Sequence, residues 1–196
     1  MGFRYIRFLK ERTLTGWKDK RKVIQRYDIT AEMYDERYKE EQTRKYCKAL
    51  QHIEITGSIV LDVGCGSGLF FDNVSDKAKI VIGIDVSRKL LNKAKEKVNV
   101  LGNVYVLQAD ADHLPFYDNF FDRTFAFTIL QNMPVPKKTL KELKRVSKPR
   151  GKIAVTGLKK AFPLNVFMDI IKESNLTVAA FVDDENVNCY VAVLTA

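Results

Sequence analysis

Apolar positions along the chain fall into two patterns, short continuous runs and longer segments with helical spacing. Continuous runs occur in "SIVLDVG", "KIVIGIDVS", "NVYVLQAD", "FDRTFAFTIL" and "GKIAVTGL", as is typical of parallel strands covered on both faces. Helical composition and spacing occur between or after them, in "GLFFDNVS", "RKLLNKAKEKVN", "PKKTLKELKRVSKP" and "PLNVFMDIIKESN". This alternation predicts an α/β fold with a parallel sheet and right-handed crossovers.

The end of the chain departs from this alternation. Only the four residues "ENVN" separate "LTVAAFVDD" from "CYVAVLTA", too few for a crossover between parallel strands. We therefore expect an antiparallel hairpin, with the last strand running against the others.

Boundary signals complete the pattern. Ser87 is placed to cap the helix "RKLLNKAKEKVN". Pro149 is expected to end the helix "PKKTLKELKRVSKP". Residues 27–50 form a further helical segment with Thr30 as a candidate N-cap. Residues 3–26 predict a basic amphipathic helix broken near Thr15 and Gly16.

Charge is concentrated at one end of the chain. The net charge is +9; residues 1–26 carry nine basic and two acidic residues, a net +7, which leaves +2 for the other 170. We therefore divide the chain into a basic arm, 1–26, and one domain, 27–196. A charge excess in one arm suggests a polyanionic partner, although a plain solvated helix would have the same composition.

Other features narrow the class of protein. The sequence has no apolar run of membrane-spanning length and no secretory h-region, so we expect no membrane association. Three scattered cysteines and two histidines support neither a disulfide framework nor a metal site. These features predict a cytoplasmic protein without a metal.

The stretch "VLDVGCGSGLFF" carries the clearest chemical signal. Gly64, Gly66 and Gly68 follow a buried strand, where α/β sheets bind their ligands. A dinucleotide or S-adenosylmethionine would suit such a turn, but the third glycine comes one residue too early for the dinucleotide fingerprint. Carboxylates of Asp62, Asp85 and Asp110 suit a ligand with a sulfonium and an ammonium group better than a pyrophosphate, which favours S-adenosylmethionine.

Five segments in order, "VLDVGCGSG", "IGIDVS", "QADADHLPF", "FDRTFAF" and "LKELKRVSKPRGK", resemble the class I S-adenosylmethionine-dependent methyltransferases. The resemblance covers about residues 27–160 and is strongest to the subgroup with "D-A-E-x-LPF" and "LKPGG" patterns. It implies a Rossmann-like, doubly wound sheet of seven mostly parallel strands with the last one antiparallel and helices on both faces.

The resemblance also implies a set of cofactor-binding residues. Its members are the glycine turn around the methionine part (Gly64, Cys65, Gly66, Gly68), the ribose and adenine contacts (Asp85, Val86, Asp110, Ala111), the wall at the fourth strand (Phe127, Thr128) and an aromatic lid (Tyr27, Tyr34). Asp62 is expected to orient the turn or a water near the cationic end of the ligand.

The sequence offers few candidates for catalytic residues. Gln131 and Asn132 stand where a histidine pair is frequent in the family, so no histidine base carries over. Asp112, His113 and Asn132 remain as candidates. Because an in-line attack on a sulfonium methyl needs mainly positioning, the lack of a strong base candidate favours a nitrogen acceptor.

Three hypotheses describe the acceptor. The first is tRNA or rRNA, with phosphates on the basic arm and bases on Tyr5, Phe8 and Trp17. The second is a small molecule or a protein side chain. The third is a non-catalytic S-adenosylmethionine-binding partner; the family resemblance also suggests a small activator protein docked at the third strand, an expected sheet edge.

Overall fold

The protein, described here from a computed structural model, forms one seven-stranded sheet flanked by helices. The structure describes residues 2–196, with side chains from residue 16 onward. The strands are β1 (Ile59–Val63), β2 (Ile80–Asp85), β3 (Val104–Gln108), β4 (Phe121–Ala126), β5 (Ser147–Leu158), β6 (Thr177–Val182) and β7 (Cys189–Thr195). The α-helices are α1 (Gly2–Thr30), α2 (Tyr34–Leu50), α3 (Phe71–Val74), α4 (Arg88–Leu101), α5 (Pro136–Val146) and α6 (Leu164–Glu173).

The strand order is β3-β2-β1-β4-β5-β7-β6, and the order reverses beside β1. Neighbours from β3 to β5 pair in parallel, whereas β7 runs antiparallel to both β5 and β6. The predicted hairpin and reversed last strand are therefore confirmed. Because β1 and β4 lie at the centre, their carboxyl ends meet at the crevice where such sheets bind ligands.

Two apolar layers cover the two faces of the sheet, which confirms the doubly wound architecture. One layer packs α2, α3 and α4 through residues such as Tyr46, Phe71 and Leu91. The other packs α5 and α6 through residues such as Leu143 and Phe167. The central strands are buried on both faces, as their continuous apolar runs predicted.

The position of β3 at the sheet edge is also confirmed. Tyr105 and Leu107 on this strand are 57 % and 44 % exposed. Docking of a small activator protein at this edge stays a prediction.

Three local predictions were wrong, and one was right. Helix α1 continues through Gly16 to Thr30 without the break predicted near Thr15 and Gly16. Thr30 does not cap a helix, because its hydroxyl donates to the carbonyl oxygen of Arg26 at 3.0 Å. Helix α5 ends at Val146, and Pro149 lies inside β5. Ser87 does cap α4, since its hydroxyl accepts from the backbone N–H of Leu90 at 3.1 Å.

Helix α1 continues through Gly16 because packing against the domain compensates for the low helix propensity of glycine. A Cβ at this position would lie 3.7 Å from Cγ of Pro134, an ordinary van der Waals distance. Within the described residues, no helix combines the length and the apolar character needed to cross a membrane.

We expect Gly16→Ala to raise the free energy of unfolding by about 0.5–1 kcal/mol, because alanine restricts the unfolded chain and fits the space beside Pro134. Gly102→Ala is the matched control, since Gly102 has a φ of +67° at the end of α4 and open space around it. Alanine there should destabilise by about 1 kcal/mol through backbone strain alone. Urea unfolding measures both changes; destabilisation by Gly16→Ala would contradict the packing of α1 described here.

Candidate cofactor and acceptor site

The glycine turn lies directly beyond β1 and is held by an acid at the end of β2. Asp85 accepts from the backbone N–H of Gly66 through Oδ2 at 2.9 Å and from that of Ser87 through Oδ1 at 2.7 Å. Burial raises the pKa of Asp85, while these backbone N–H groups oppose the rise. One carboxylate therefore fixes both the turn and the start of α4.

All three glycines of the turn have a positive φ, but the space around them differs. A Cβ on Gly64 would lie 1.9 Å from Cδ1 of Ile129, a side-chain end that can move, and one on Gly68 would lie 2.6 Å from the ring of Phe71. Their φ values of +72° and +78° favour glycine at both positions. Gly66 has room for a Cβ beneath the ring of Tyr34, 3.5 Å away, but its φ of +56° lies in the left-handed region that favours glycine.

A small cavity, here called the strand-tip pocket, lies over the ends of β1, β2 and β3. It encloses about 60 Å³ and is lined by Lys20, Val23, Gly64, Ile84, Asp85, Val86, Ala109, Asp110, Ala111, Ile129, Asn132 and Met133. The predicted residues Gly64, Asp85, Val86, Asp110 and Ala111 are thus brought together. The cavity is small because Lys20 and Val23 of α1 cover it.

Lys20 occupies the acidic end of this pocket. Its ammonium donates to both oxygens of Asp110, at 2.7 and 2.8 Å, and to Asp112 at 2.7 Å. Burial of Asp110 disfavours ionisation, but the backbone N–H of Asp112 and the Lys20 ammonium outweigh it, so the pKa of Asp110 is lowered. A ligand that uses Asp110 has to displace or share Lys20.

The two tyrosines predicted as a lid do converge on the glycine turn. The rings of Tyr27 and Tyr34 lie 6.0 Å apart, edge to face, and the ring of Tyr38 lies 5.0 Å from that of Tyr34. Burial and neighbouring groups raise the pKa of Tyr34 well above its usual range, so its phenol stays neutral. The segment is fixed because Asp35 accepts from the hydroxyl of Ser67.

A larger cavity, here called the tyrosine pocket, opens on the other side of this lid. It has a volume of about 360 Å³ and is lined by Arg26, Tyr27, Thr30, Tyr34, Arg37, Tyr38, Glu41, Gln42, Lys45, Thr128, Gln131, Asn132 and Leu158. A narrow space of about 30 Å³, which Tyr34, Gly66, Asp85 and Thr128 help to line, lies between the two pockets.

Thr128, at the junction of these cavities, has a strained backbone with a φ of +61°. A β-branched residue in this region is an outlier that costs about 1–3 kcal/mol. The surroundings hold it there: its N–H donates to Thr156 Oγ1 at 2.7 Å, and its carbonyl oxygen accepts from Gln131 and Asn132 at 3.1 and 2.9 Å. Its hydroxyl accepts from Lys45 Nζ at 3.0 Å.

Asp62, Cys65 and Phe127 lie beneath the site. Asp62 is 3 % exposed, and its Oδ2 has no hydrogen-bond partner. Burial, with a smaller contribution from Asp85, raises the pKa of Asp62 to about 8. Burial also raises the pKa of the Cys65 thiol, which makes it a filler rather than a nucleophile. Phe127 is buried against Tyr46 and Phe70 and reaches the narrow space.

Only one of the three catalytic candidates reaches the junction between the pockets. Asn132 lines the pockets, and its amide contacts Tyr27, Arg26 and the Thr128 carbonyl. Asp112 is instead buried between Lys20 and Thr139. His113 is exposed and pairs with Lys138. Neither Asp112 nor His113 is placed to act as a general base. Among the described side chains, no His, Cys, Asp and Glu residues group to hold a metal ion.

Among the site residues that were not predicted from the sequence are Asp28, Asp35, Lys20 and Lys45. The first two had a signal, because "YD" occurs at residues 27–28 and again at 34–35, one heptad apart. Asp28 accepts from the Ser87 hydroxyl, as Asp35 does from Ser67. Lys20 and Lys45 carried no signal among so many lysines.

Comparisons with known proteins agree with this geometry. The family described as "Methyltransferase domain" matches residues 61–155. A crystal structure of a SAM-dependent methyltransferase from Aquifex aeolicus superimposes with a TM-score of 0.74 at 27 % identity, over 85 % of this chain and 97 % of that one. The chain carries a class I methyltransferase domain.

Two relatives have names that include a reaction. The methyltransferase domain is 34 % identical over 122 residues to the ubiquinone/menaquinone biosynthesis C-methyltransferase UbiE of Vibrio cholerae, covering 58 % of this chain and 46 % of that protein. It is 40 % identical over 101 residues to the demethylmenaquinone methyltransferase of Staphylococcus saprophyticus, covering 50 % and 43 %. The chain spans about half the length of these curated relatives.

S-adenosyl-L-methionine is the cofactor of a methyltransferase domain of this class, and the residues present fit it. The unpartnered Oδ2 of buried Asp62 offers an acceptor near the glycine turn, and Asp85 and Asp110 supply carboxylates at the strand ends. The strand-tip pocket is too small for a nucleoside while Lys20 fills it. We therefore expect the Lys20 side chain to leave Asp110, or to share it, when the cofactor enters.

We expect Lys20→Ala to tighten binding of S-adenosylhomocysteine by about 3- to 10-fold, because it frees Asp110 and pocket volume at once; each tenfold is about 1.4 kcal/mol. Lys22→Ala is the control, since Lys22 is largely exposed and lies outside the pocket. Calorimetric titration measures the affinities. Weaker binding to Lys20→Ala would mean that Lys20 holds α1 in the binding-competent position instead.

We expect cofactor binding at pH 7 to release a proton from Asp62. The carboxyl, with a pKa of about 8, is mostly protonated at pH 7, and a cation at the glycine turn lowers that pKa. Affinity should therefore rise as the pH approaches 8 and level off above it. Calorimetry in buffers of different ionisation enthalpy detects the released proton. Asp62→Asn should show no release, and an equal release from both proteins would refute this account.

Proposed function

We propose that the protein transfers a methyl group from S-adenosyl-L-methionine to a small molecule bound in the tyrosine pocket. One observation carries this proposal: the tyrosine pocket meets the glycine turn through a narrow space bordered by Tyr27, Tyr34, Thr128 and Asn132. An acceptor in the tyrosine pocket would therefore lie next to a cofactor bound at the glycine turn, as in-line transfer requires.

Bound S-adenosyl-L-methionine supplies a methyl group that its sulfonium charge already activates. The protein's own contribution is positioning and exclusion of water. Tyr27 and Tyr34 cover the junction, and Asn132 links Tyr27 to the Thr128 carbonyl through hydrogen bonds of 3.2 and 2.9 Å. These contacts fix the positions of the side chains that border both cavities.

The names of the relatives also support a small acceptor. They describe methylation in quinone biosynthesis and, for UbiE, transfer to carbon. Such names favour a carbon acceptor over the nitrogen expected from the lack of a base.

RNA is the alternative acceptor. Lys18, Arg21 and Lys22 of α1 are exposed and Trp17 is 51 % exposed, as an RNA-binding surface would need. However, Lys20 and Arg26 of the same helix are turned onto the domain, toward Asp110 and Asn132. Tyr5 and Phe8 lie outside the residues whose side chains are described. The observations therefore favour the small molecule. A cytoplasmic location stays a prediction.

Labelling distinguishes these acceptors. The full chain is incubated with S-adenosyl-L-methionine labelled in its methyl group and with two cellular fractions, small molecules and total RNA. We expect label in a compound of the small-molecule fraction and none after Asp85→Ala, which removes the clamp on the glycine turn. Label in RNA, or in neither fraction, would overturn the proposal.

A further inference from the structure

The tyrosine pocket has an excess of positive charge. Its charged lining residues are Arg26, Arg37 and Lys45 against the single acid Glu41, a net charge of +2. A pocket of one sign concentrates ligands of the opposite sign. This lining therefore selects anionic acceptors over neutral or cationic ones.

Lys45 is the unusual member of this set. It is 1 % exposed, and its ammonium contacts Glu41 Oε1 at 2.7 Å and Thr128 Oγ1 at 3.0 Å. The side chain of Glu41 is 34 % exposed, so water already solvates part of the compensating charge. Since a buried ion pair contributes little to stability compared with apolar packing, the position of Lys45 in a pocket wall points to a ligand.

Hydrogen-bonding groups at the inner end of the pocket fit an oxygen-bearing ligand. The Thr128 hydroxyl accepts from Lys45 and from Gln42 Nε2, both at 3.0 Å, and its own proton has only the Gln42 amide oxygen at 3.3 Å. An anionic oxygen is a better acceptor for that proton. Gln131 Oε1 is buried without any partner and so lacks a donor, such as a ligand hydroxyl.

The walls of the pocket suit a flat ring. Tyr27, Tyr34 and Tyr38 line one side, with successive rings 6.0 and 5.0 Å apart. Aromatic side chains at such spacings accept another ring in an edge or offset arrangement. A volume of about 360 Å³ accommodates a small ring system rather than a folded macromolecule.

We propose that the acceptor is a small aromatic anion, whose charged oxygen contacts Lys45 and the Thr128 hydroxyl while its ring lies against the tyrosines. This inference rests on the proposed function and adds the chemical class of the substrate. Lys45 is then a specificity-determining residue, and Glu41 limits the strength of its charge.

The test is equilibrium binding to the full chain saturated with S-adenosylhomocysteine. The probes are the carboxylate 4-hydroxybenzoate and its neutral analogue 4-hydroxybenzamide. A third probe, 4-nitrophenolate, shows whether the pocket prefers a phenolate oxygen to a carboxylate. We expect binding of 4-hydroxybenzoate or 4-nitrophenolate in about the millimolar range or tighter. The preferred anion should bind about 10-fold more tightly than the amide, an ordinary gain for a charge-assisted hydrogen bond.

Five variants on α2, two matched pairs and Glu41→Gln, report on the charge. Lys45→Gln should remove most of the preference for the anion, whereas Lys48→Gln should not, because Lys48 pairs with Asp184 outside the pocket. Glu41→Gln should strengthen anion binding about 3-fold or more, since it removes the competing carboxylate. Arg37→Gln should weaken it, and Arg44→Gln, which replaces an arginine outside the pocket, should not.

The outcomes separate this inference from the proposed function. If the parent protein does not bind S-adenosylhomocysteine, the proposed function itself is overturned. If the cofactor product binds but neither anion is preferred to the amide, or if no probe binds, only the aromatic-anion inference fails. If Lys45→Gln does not fold, the opposite effects expected for Glu41→Gln and Arg37→Gln still decide the question.

Discussion

The clamp between Asp85 and the glycine turn is the interaction on which the site depends. The acid lies at the end of β2, and its two oxygens hold the N–H groups of Gly66 and Ser87 at 2.9 and 2.7 Å. It therefore joins the end of one strand to the turn after the neighbouring strand and to the cap of α4. Without this link, the left-handed turn at Gly66 and the start of α4 would lose their common anchor.

The tyrosine pocket, where we propose that the acceptor binds, is built largely outside the segment that matches the family. Residues 61–155 supply the glycine turn, Asp85 and the loop that carries Thr128. The lid tyrosines and Lys45 come from α1 and α2, which precede that segment. A shared methyltransferase domain with its own N-terminal helices is a simple way to keep one cofactor and change the acceptor. One of these helices, α1, also covers the strand-tip pocket through Lys20.

The sequence predicted features that depend on local chemistry. Continuous apolar runs indicated buried parallel strands, a four-residue connection indicated the terminal hairpin, and Ser87 was recognised as a cap because capping involves residues only three positions apart. The cluster of Gly64, Asp85 and Asp110 followed from the rule that strand ends meet at one edge.

Long-range pairings between side chains were not predictable from such local patterns. Lys20 meets Asp110 across 90 residues, and Lys45 meets Thr128 across 83, and no periodicity distinguishes them from the other lysines. Thr128 was expected to line the pocket, but its strained backbone was not predictable, because three of its five hydrogen-bond partners, Gln42, Lys45 and Thr156, come from distant elements.

The most direct test of the central claim is calorimetric titration of the protein with S-adenosyl-L-methionine and, separately, with NAD. The turn clamped by Asp85, with carboxylates at three strand ends, predicts one equivalent of S-adenosyl-L-methionine bound and no detectable heat from NAD. Equal binding of both ligands, or binding of NAD alone, would contradict the assignment of this site.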